Sequence, residues 1–379
     1  MGTSRNLRIM SNLNPFQSED TRSFARRLGP WTQRSGPDSD VALTSRIRLA
    51  RNLDGIRFRT KIEHAEAEAV HGQVYAALES ASMDGGATWV SIDTAPPVLR
   101  LLLRERYLCS RELAPAGERD DKLPGRAVAF AIDEDLSIMI NEEDHIRLSA
   151  VSSGFDLDGP HNRVCALDRS LEQQLSYAYR SDLGYLTGCP TNVGTGMRAS
   201  VMLHLPALGL VPSELEKVIR ASQRTGLAVR GIYGEGSRAV GDFYQISNQV
   251  TLGRTEEQLL GDLGNLVPSV IAFERRVREE LATSRPDELK EKLGEARDKV
   301  SSVRSIATDE ALQALSIMRL ADLIDLEGAT EMRDFAALVI QLQKGHVQVL
   351  GGDDELGEVV GASVRDELRA GILRRRFDA

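Results

Sequence analysis

The sequence predicts an α+β fold, an antiparallel sheet flanked by helices, followed by an all-α helical bundle. Two observations carry this. From Val41 to about Gly253 short β-like runs alternate with a few helices, and from Thr255 onward the helical period dominates. Within the first part, AVAFAID (127–133) and LSIMINEEDHIRLSAV (136–151) are separated only by Glu134 and Asp135, a spacing that reads as a hairpin in an antiparallel sheet. A chain of 379 residues is long enough for two to three domains with real cores. The boundaries expected are an extension and lead-in over 1–40, a sheet domain over 41–254 and a helical domain over 255–379.

Taken in order, TSRIRLARN alternates as a strand and puts Arg46 and Arg48 on one face with Ser45 and Ile47 on the other. The hairpin follows. Residues 162–180 carry Val164, Leu167, Leu171, Leu175 and Ala178 at helical spacing, and MRASVMLHL (197–205) reads as a strand. Ser213 and Glu216 form a capping-box pattern behind Pro212, and Gly226 ends that helix. LAVRGIY, the Gly-rich GEGSRAVG and DFYQISNQVTLG complete the sheet region. Thr255 and Gln258 form a second capping box, opening helices expected over 256–283 with a break at Pro268, then 286–303, 308–326, 330–345 and 363–376.

Composition limits the function classes. Hydrophobic residues at 41% and charged residues at 27% are ordinary for a folded protein and exclude wholesale disorder. A net charge of −9 argues against a surface built to coat nucleic acid. The basic residues are skewed, with 40 Arg against 7 Lys, and arginine offers a planar fork suited to phosphate and carboxylate. Cys109, Cys165 and Cys189 form no CxxC pair, so neither a disulfide framework nor a zinc motif is expected, and the six histidines show no metal spacing. Apolar runs fall short of a membrane span and the N-terminus lacks a secretory pattern, so a cytoplasmic protein is expected.

Three groups of residues carry possible chemistry. Arg46, Arg48, Arg147, Arg198 and Arg230 each sit in dense polar context, where side-chain cations can grip phosphate oxygens; isolated arginines on strand edges otherwise serve to prevent aggregation. NEED places Asn141, Glu142, Glu143 and Asp144 on or beside a strand, and alternation sends Glu143 to the face of His145 and Arg147, a carboxylate beside a cation suited to removing a proton. In CPTNVGTGMRAS, Cys189 precedes a Gly/Thr-rich loop whose amides can bind an anion, although a lone cysteine is more often an inert thiol. There is no GxxxxGK[ST] and no protein-kinase motif set, so any use of ATP requires another architecture.

In chain order, TSRIRLARN, NEEDHIR, CPTNVGTGMRASV and RGIYGEGS resemble the signature series of the phosphagen (guanidino) kinases, the family of creatine and arginine kinases. The resemblance covers about 41–253. It narrows to the bacterial protein arginine kinases for two reasons. Few residues precede TSRIR, too few for the helical N-terminal domain of small-guanidine kinases, and RDELRA (365–370) resembles the RDxxRA phosphoarginine receptor of that branch.

The resemblance implies a glutamine-synthetase-like catalytic fold that transfers the γ-phosphoryl of Mg-ATP to protein arginine. It implies a nucleotide pocket formed by Thr44, Ser45, Arg46, Ile47 and Arg48, by Arg147, by Arg198, Ala199, Ser200, Val201 and Met202, and by Arg230, Gly231, Ile232, Tyr233 and Gly234. Glu143 would orient the guanidinium and accept its proton, Glu235 would be its partner carboxylate in a closing loop, and Cys189 would contribute as a thiolate. No protein-bound metal beyond Mg2+ on the nucleotide is implied. Arg365, Asp366, Arg369 and Ala370 would form the regulatory phosphoarginine site. Tyr107 stands where a histidine is expected at the nucleotide edge. Implied partners are proteins with exposed arginine, a homodimer mate through the helical domain, a zinc-binding McsA-like activator and an AAA+ protease receiving marked proteins in quality control, with no nucleic acid or membrane. A kinase for free arginine and a non-catalytic phosphoarginine-binding adaptor are the competing readings.

Overall fold

The computed structural model describes residues 8–9, 18–81, 83, 86–115, 123–231, 239–352 and 358–377. Its centre is a nine-stranded sheet. The strands are β1 (Arg8–Ile9), β2 (Ala42–Arg51), β3 (Ala87–Ser91), β4 (Ala127–Ala131), β5 (Leu136–Ile140) and β6 (Ile146–Ser153), with β7 (Tyr179–Arg180) and β8 (Gly184–Tyr185) forming a separate small ribbon, then β9 (Met197–His204), β10 (Leu227–Gly231) and β11 (Phe243–Asn248). Their order across the sheet is β1-β3-β4-β5-β6-β2-β9-β11-β10. Every pair is antiparallel except β1 with β3. The hairpin of β4 and β5 pairs Ala127 with Ile140 and Phe130 with Ser137, as the short Glu134-Asp135 separation predicts.

The helices are α1 (Ser18–Arg26), α2 (His64–Ser80), α3 (Pro97–Glu105), α4 (Asp158–Glu172), α5 (Pro206–Leu210), α6 (Pro212–Arg224), α7 (Glu256–Ser284), α8 (Pro286–Ser302), α9 (Thr308–Leu323), α10 (Phe335–Gln341), α11 (Lys344–Gly351) and α12 (Ala362–Phe377). Alternation along β2 decides how they are used. Ile47 and Leu49 lie in a core shared with Val70 and Val74 of α2, Val164 and Leu167 of α4, and Leu263 and Val267 of α7, so this face of the sheet is covered. Burying each such side chain contributes about 1.5–3 kcal/mol. Among the described residues the other face is covered only at its flanks. Leu99 and Leu103 of α3 pack on Val128 and Met139, while Leu312 and Leu315 of α9 and Phe335 of α10 pack on Met202 and Phe243. Between these flanks, the middle strands present their arginines to an open cavity.

Several expectations about helices shift. The helix expected over 162–180 is Asp158–Glu172, and Leu175 and Ala178 are buried beyond its end in the chain leading to β7. Ser213 does not cap α6, because Pro212 already occupies the first turn and the N-cap falls on Val211. Gly226 follows with φ +72°, which ends the helix as expected. Thr255 caps α7 through its bond from the Gln258 amide. Pro268 does not break α7. The carbonyl it leaves unpaired is that of Gly264, and both residues face solvent, where water can satisfy it. The stretch expected as one helix over 330–345 is divided between α10 and α11, while α9 ends at Leu323 rather than near 326.

Glu274 of α7 joins the covered face to α5. It is fully buried and its two oxygens accept the amides of Ala207 and Leu208, each at 3.0 Å, at the N-terminus of α5. Burial pushes its carboxyl up to about 7, against the lowering effect of those amides and of Arg278. The native state therefore holds a proton that the unfolded chain releases near pH 4.5, so the stability from this group is greatest at acid pH and falls as pH rises through about 7. Glu274→Gln should flatten that decline, reducing the pH 5 to pH 7.5 loss of unfolding free energy by up to ~3 kcal/mol relative to wild type in urea titrations.

Candidate active site

The open cavity, about 700 Å3, is lined by Arg48, Arg147, Arg198 and Arg230 together with Glu112, Glu142, Glu143, Cys189, Asn248 and neighbouring backbone. The sheet register assembles the cations. Arg48 lies opposite Arg198 of β9 on one side and Ser149 of β6 on the other, and Arg147 lies opposite Ala50. Arg46, one pleat away, donates from Nε to Ser149 Oγ (2.8 Å) and from a terminal nitrogen to the carbonyl of Tyr107 (3.0 Å). Burial pushes Arg46 down to about 10. Burial, reinforced by Arg46, Arg198 and Arg147, holds Arg48 well below its ordinary value, and its Nε–H is buried without an acceptor. Arginine does not surrender its proton in proteins, so this depression reports a charged group taken out of water first and crowded by other cations second, and a bound polyanion would offset both. The residues fit a triphosphate on that ground.

The remaining residues of the expected nucleotide segments are placed by the same alternation. Ser45, Ile47, Ala199 and Val201 point to the covered face: Ser45 bonds the Gly154 carbonyl at 2.9 Å, and the other three are in the core. Thr44 pairs with Ser153 near the end of β2, and Ser200 with Arg46. Met202 belongs to the flank packing under α9. Gly231 ends β10. Ile232, Tyr233, Gly234 and Glu235 lie outside the described residues.

NEED is not strand. β5 ends at Ile140, Asn141 adopts φ +55°, and the hairpin turns through 141–145 before β6 begins. Glu143 and His145 consequently do not share a face. His145 is fully buried, accepting the Leu53 amide on Nδ1 (3.0 Å) and lying 3.0 Å from the Arg57 carbonyl through Nε2, the pattern of a neutral ring protonated on Nε2. The turn instead gathers three carboxylates around Arg147. Glu142 approaches it at 2.8 Å, Asp144 at 3.4 Å, and Glu143 pairs with it directly. Glu142 is buried and also accepts Ser110 Oγ at 2.6 Å; Asp144 is buried and accepts Asn52 Nδ2 (2.8 Å) and the Gly188 amide (2.6 Å). Glu143 alone keeps 43% of its side chain exposed. Burial, with Asp144, Glu142 and Glu112 adding and Arg147 opposing, raises its carboxyl above the ordinary range. A partly exposed carboxylate of raised basicity at the cavity edge suits proton abstraction.

Cys189 lines the same cavity, its Sγ 3.0 Å from Thr191 Oγ1. The loop that carries it is held from behind. Thr251 Oγ1 bonds the carbonyls of Thr191 (2.9 Å) and Val193 (2.7 Å). Gly194 and Gly196 have φ of +114° and +65°, and a Cβ at either would come within 2.6 Å of a carbonyl, so the GTG spelling is a packing requirement. Arg51, fully buried and stacked 3.6 Å from the Tyr185 ring, donates to Asp168 (2.6 and 3.1 Å) and to the Thr195 carbonyl (3.1 Å). The sequence reading misses Arg51, Asp168 and Thr251, and it names Glu142 and Asp144 within NEED without a role of their own. Arg51 stood inside TSRIRLARN, but its partner lies 117 residues away.

A second cavity, about 950 Å3, is lined by Arg365, Asp366 and Arg369 of α12 with Arg104, Tyr107, Arg111, Thr308 and Lys344 among others. The two arginines of RDELRA are not equivalent there. Arg369 is fully buried, bonding the carbonyls of Leu342 (2.9 Å) and Ile306 (2.8 Å) and Asp366 Oδ1 (2.5 Å), and Ala370 is core. Arg365 is half-buried and donates to the Val360 carbonyl. Tyr107, at φ +59°, lines this cavity while its carbonyl holds Arg46.

A guanidinium-lined face of an antiparallel sheet, with an acidic hairpin turn at its edge and no P-loop, defines an ATP:guanidino phosphotransferase. Family comparison agrees: residues 69–277 match the ATP:guanido phosphotransferase C-terminal catalytic domain, and residues 286–379 match the protein-arginine kinase McsB C-terminal domain. The chain is 38% identical over 357 residues to the protein-arginine kinase of Halothermothrix orenii, covering 93% of this chain and 97% of that one, and 36% identical over 352 residues to that of Bacillus subtilis, covering 92% and 93%. Among solved structures, the taurocyamine kinase of Schistosoma mansoni with bound transition-state-analogue components superimposes with a TM-score of 0.58 at 26% identity, over 66% of this chain and 35% of that duplicated one. Lombricine kinase shares the fold, with a TM-score of 0.56 at 24% identity over 69% of this chain and 77% of that one. The chain belongs to the protein-arginine kinase family.

Arg51→Ala would strand Asp168 as an unpaired buried carboxylate and cost about 3–5 kcal/mol in denaturant unfolding. Removing Asp168 as well should recover part of that loss; additive costs from the two single changes would show that the pair is not coupled.

Proposed function

We propose that the chain transfers the γ-phosphoryl group of ATP to a guanidinium nitrogen of arginine residues in protein substrates. In the balanced step, the bond from the γ-phosphorus to its bridging oxygen breaks, an N–P bond forms, the guanidinium gives up one proton, and ADP leaves. A guanidinium is a poor nucleophile because its charge is delocalised, and the phosphoryl group passes through a loose transition state with spread negative charge. The site answers both difficulties. Arg48, Arg198 and Arg230, with Arg46 and Arg147 beside them, hold and neutralise the phosphate oxygens without reorganising, because strands fix their positions. Mg2+ on the nucleotide supplies further charge neutralisation.

Glu143 orients the incoming guanidinium and takes its proton. The observation that carries this reading is that Glu143, with a raised pKa, opens onto the cavity at the edge of the arginine cluster while Glu142 and Asp144 are buried in structural bonds. Glu235, outside the described residues, is the proposed partner carboxylate, and Cys189 adds negative charge near the substrate guanidinium. A sheet domain over 41–254 carrying this chemistry, and a helical part over 255–379 that dimerises and reads phosphoarginine beside Arg365 and Asp366, make the proposed division of labour. Phosphoarginine-marked proteins would then pass to a protease of the AAA+ class in the cytoplasm, with an activator regulating the kinase. No helix among the described residues is long and apolar enough to cross a membrane.

Mass spectrometry at neutral pH after incubation with Mg-ATP and a basic protein should find acid-labile phosphoarginine on the protein. Phosphorylation of free arginine without any of protein would instead support a small-guanidine kinase. Glu143→Gln should reduce transfer by about 10²–10⁴-fold. In the wild type, kcat/KM should fall as pH drops through the raised pKa of Glu143, since only the ionised carboxylate accepts the proton; a Glu143→Gln variant that transfers at the wild-type rate removes Glu143 from the mechanism.

A further inference from the structure

Outside the active site, three donors of different chemistry converge on the covered face. His161 and Cys165 stand four residues apart on α4, so they share one side of that helix, and Glu256 is the first residue of α7. His161 Nε2 is 2.8 Å from Glu256 Oε2, Cys165 Sγ is 3.4 Å from His161 Nε2, and Cys165 Sγ is 3.9 Å from the same Glu256 oxygen. All three side chains are half-buried, so an ion can enter without opening the core.

We propose that His161, Cys165 and Glu256 form a binding site for a thiophilic divalent cation of the zinc class. Tetrahedral coordination at zinc bond lengths separates imidazole nitrogen from carboxylate oxygen by about 3.3 Å, and sulfur from either by about 3.5 Å. No edge of the observed triangle, 2.8, 3.4 and 3.9 Å, departs from that by more than about half an ångström. A thiolate with one imidazole selects zinc-like ions over Mg2+ or Ca2+, which prefer oxygen. Three protein donors leave the fourth position to water. On binding, the Cys165 thiol releases its proton to solvent and His161 carries its remaining proton on Nδ1, so that Nε2 presents a lone pair.

The location gives the site a mechanical meaning. α4 carries Asp168, which holds Arg51 and through it the Thr195 carbonyl. α7 starts five residues after Thr251, which holds the carbonyls of Thr191 and Val193. An ion joining α4 to the start of α7 would therefore tie together the two supports of the loop that carries Cys189.

Titrating the full chain with Co2+ tests the assignment. One equivalent should produce a thiolate-to-cobalt charge-transfer band in the near ultraviolet, displaced by Zn2+. The band should vanish in Cys165→Ser and persist in Cys109→Ser and Cys189→Ser. His161→Ala and Glu256→Gln should each weaken binding by at least ~10-fold. Circular dichroism of each variant confirms that it is folded, and Zn2+ should raise the unfolding midpoint of the wild type but not of Cys165→Ser. Absence of a stoichiometric band, a band that survives Cys165→Ser, or wild-type affinity in His161→Ala and Glu256→Gln would overturn the proposal.

Discussion

The structure depends on holding like charges together. Arg48 sits among Arg46, Arg147 and Arg198 with its Nε–H buried and no acceptor, an arrangement that costs folding free energy and is sustained by the strands on which it is built. Alternation along β2 is what makes it possible. The same ten residues that expose Arg46 and Arg48 on one face bury Ile47 and Leu49 on the other, so hydrophobic burial stabilises the frame that forces the cations into proximity. The carboxylates nearby are gathered on Arg147, so Arg48 is the cation that a polyphosphate would compensate most, with binding energy gained where the proposed transition state also needs it.

The acidic turn solves a complementary problem. Three carboxylates beside one arginine would repel one another in a flexible loop, but Glu142 and Asp144 are each fixed by neutral donors from other segments, Ser110, Asn52 and the Gly188 amide. Their charge is then spent on Arg147, and Glu143 is left partly exposed with raised basicity. Environment rather than residue type separates the proposed catalytic carboxylate from two structural ones.

Much of this was legible in the sequence because it is local. The strand face of Arg46 and Arg48, the hairpin around Glu134 and Asp135, and the Thr255–Gln258 cap all follow from spacing over a few residues. What failed depended on tertiary context. Alternation carried through NEED predicts a shared face, but a turn residue at positive φ resets the phase, and so His145 turns into the core while Glu143 turns out. Pro268 predicts a helix break, yet it sits on the solvent side of α7, where water can take the place of the lost bond. RDELRA does place its two arginines beside one cavity, with Arg369 also bonded to the carbonyls of Leu342 and Ile306. Arg51 and Asp168 were invisible as a pair because nothing local links positions 117 residues apart.

The role of the arginine cluster can be tested by the unfolding midpoint of the chain with Mg2+ and excess adenosine, AMP, ADP or ATP at fixed ionic strength. Stabilisation should be negligible for adenosine, rise steeply with each added phosphate, and shrink markedly for ATP in Arg48→Ala. Equal stabilisation by adenosine and ATP, or an Arg48→Ala variant stabilised by ATP as strongly as the wild type, would contradict the account.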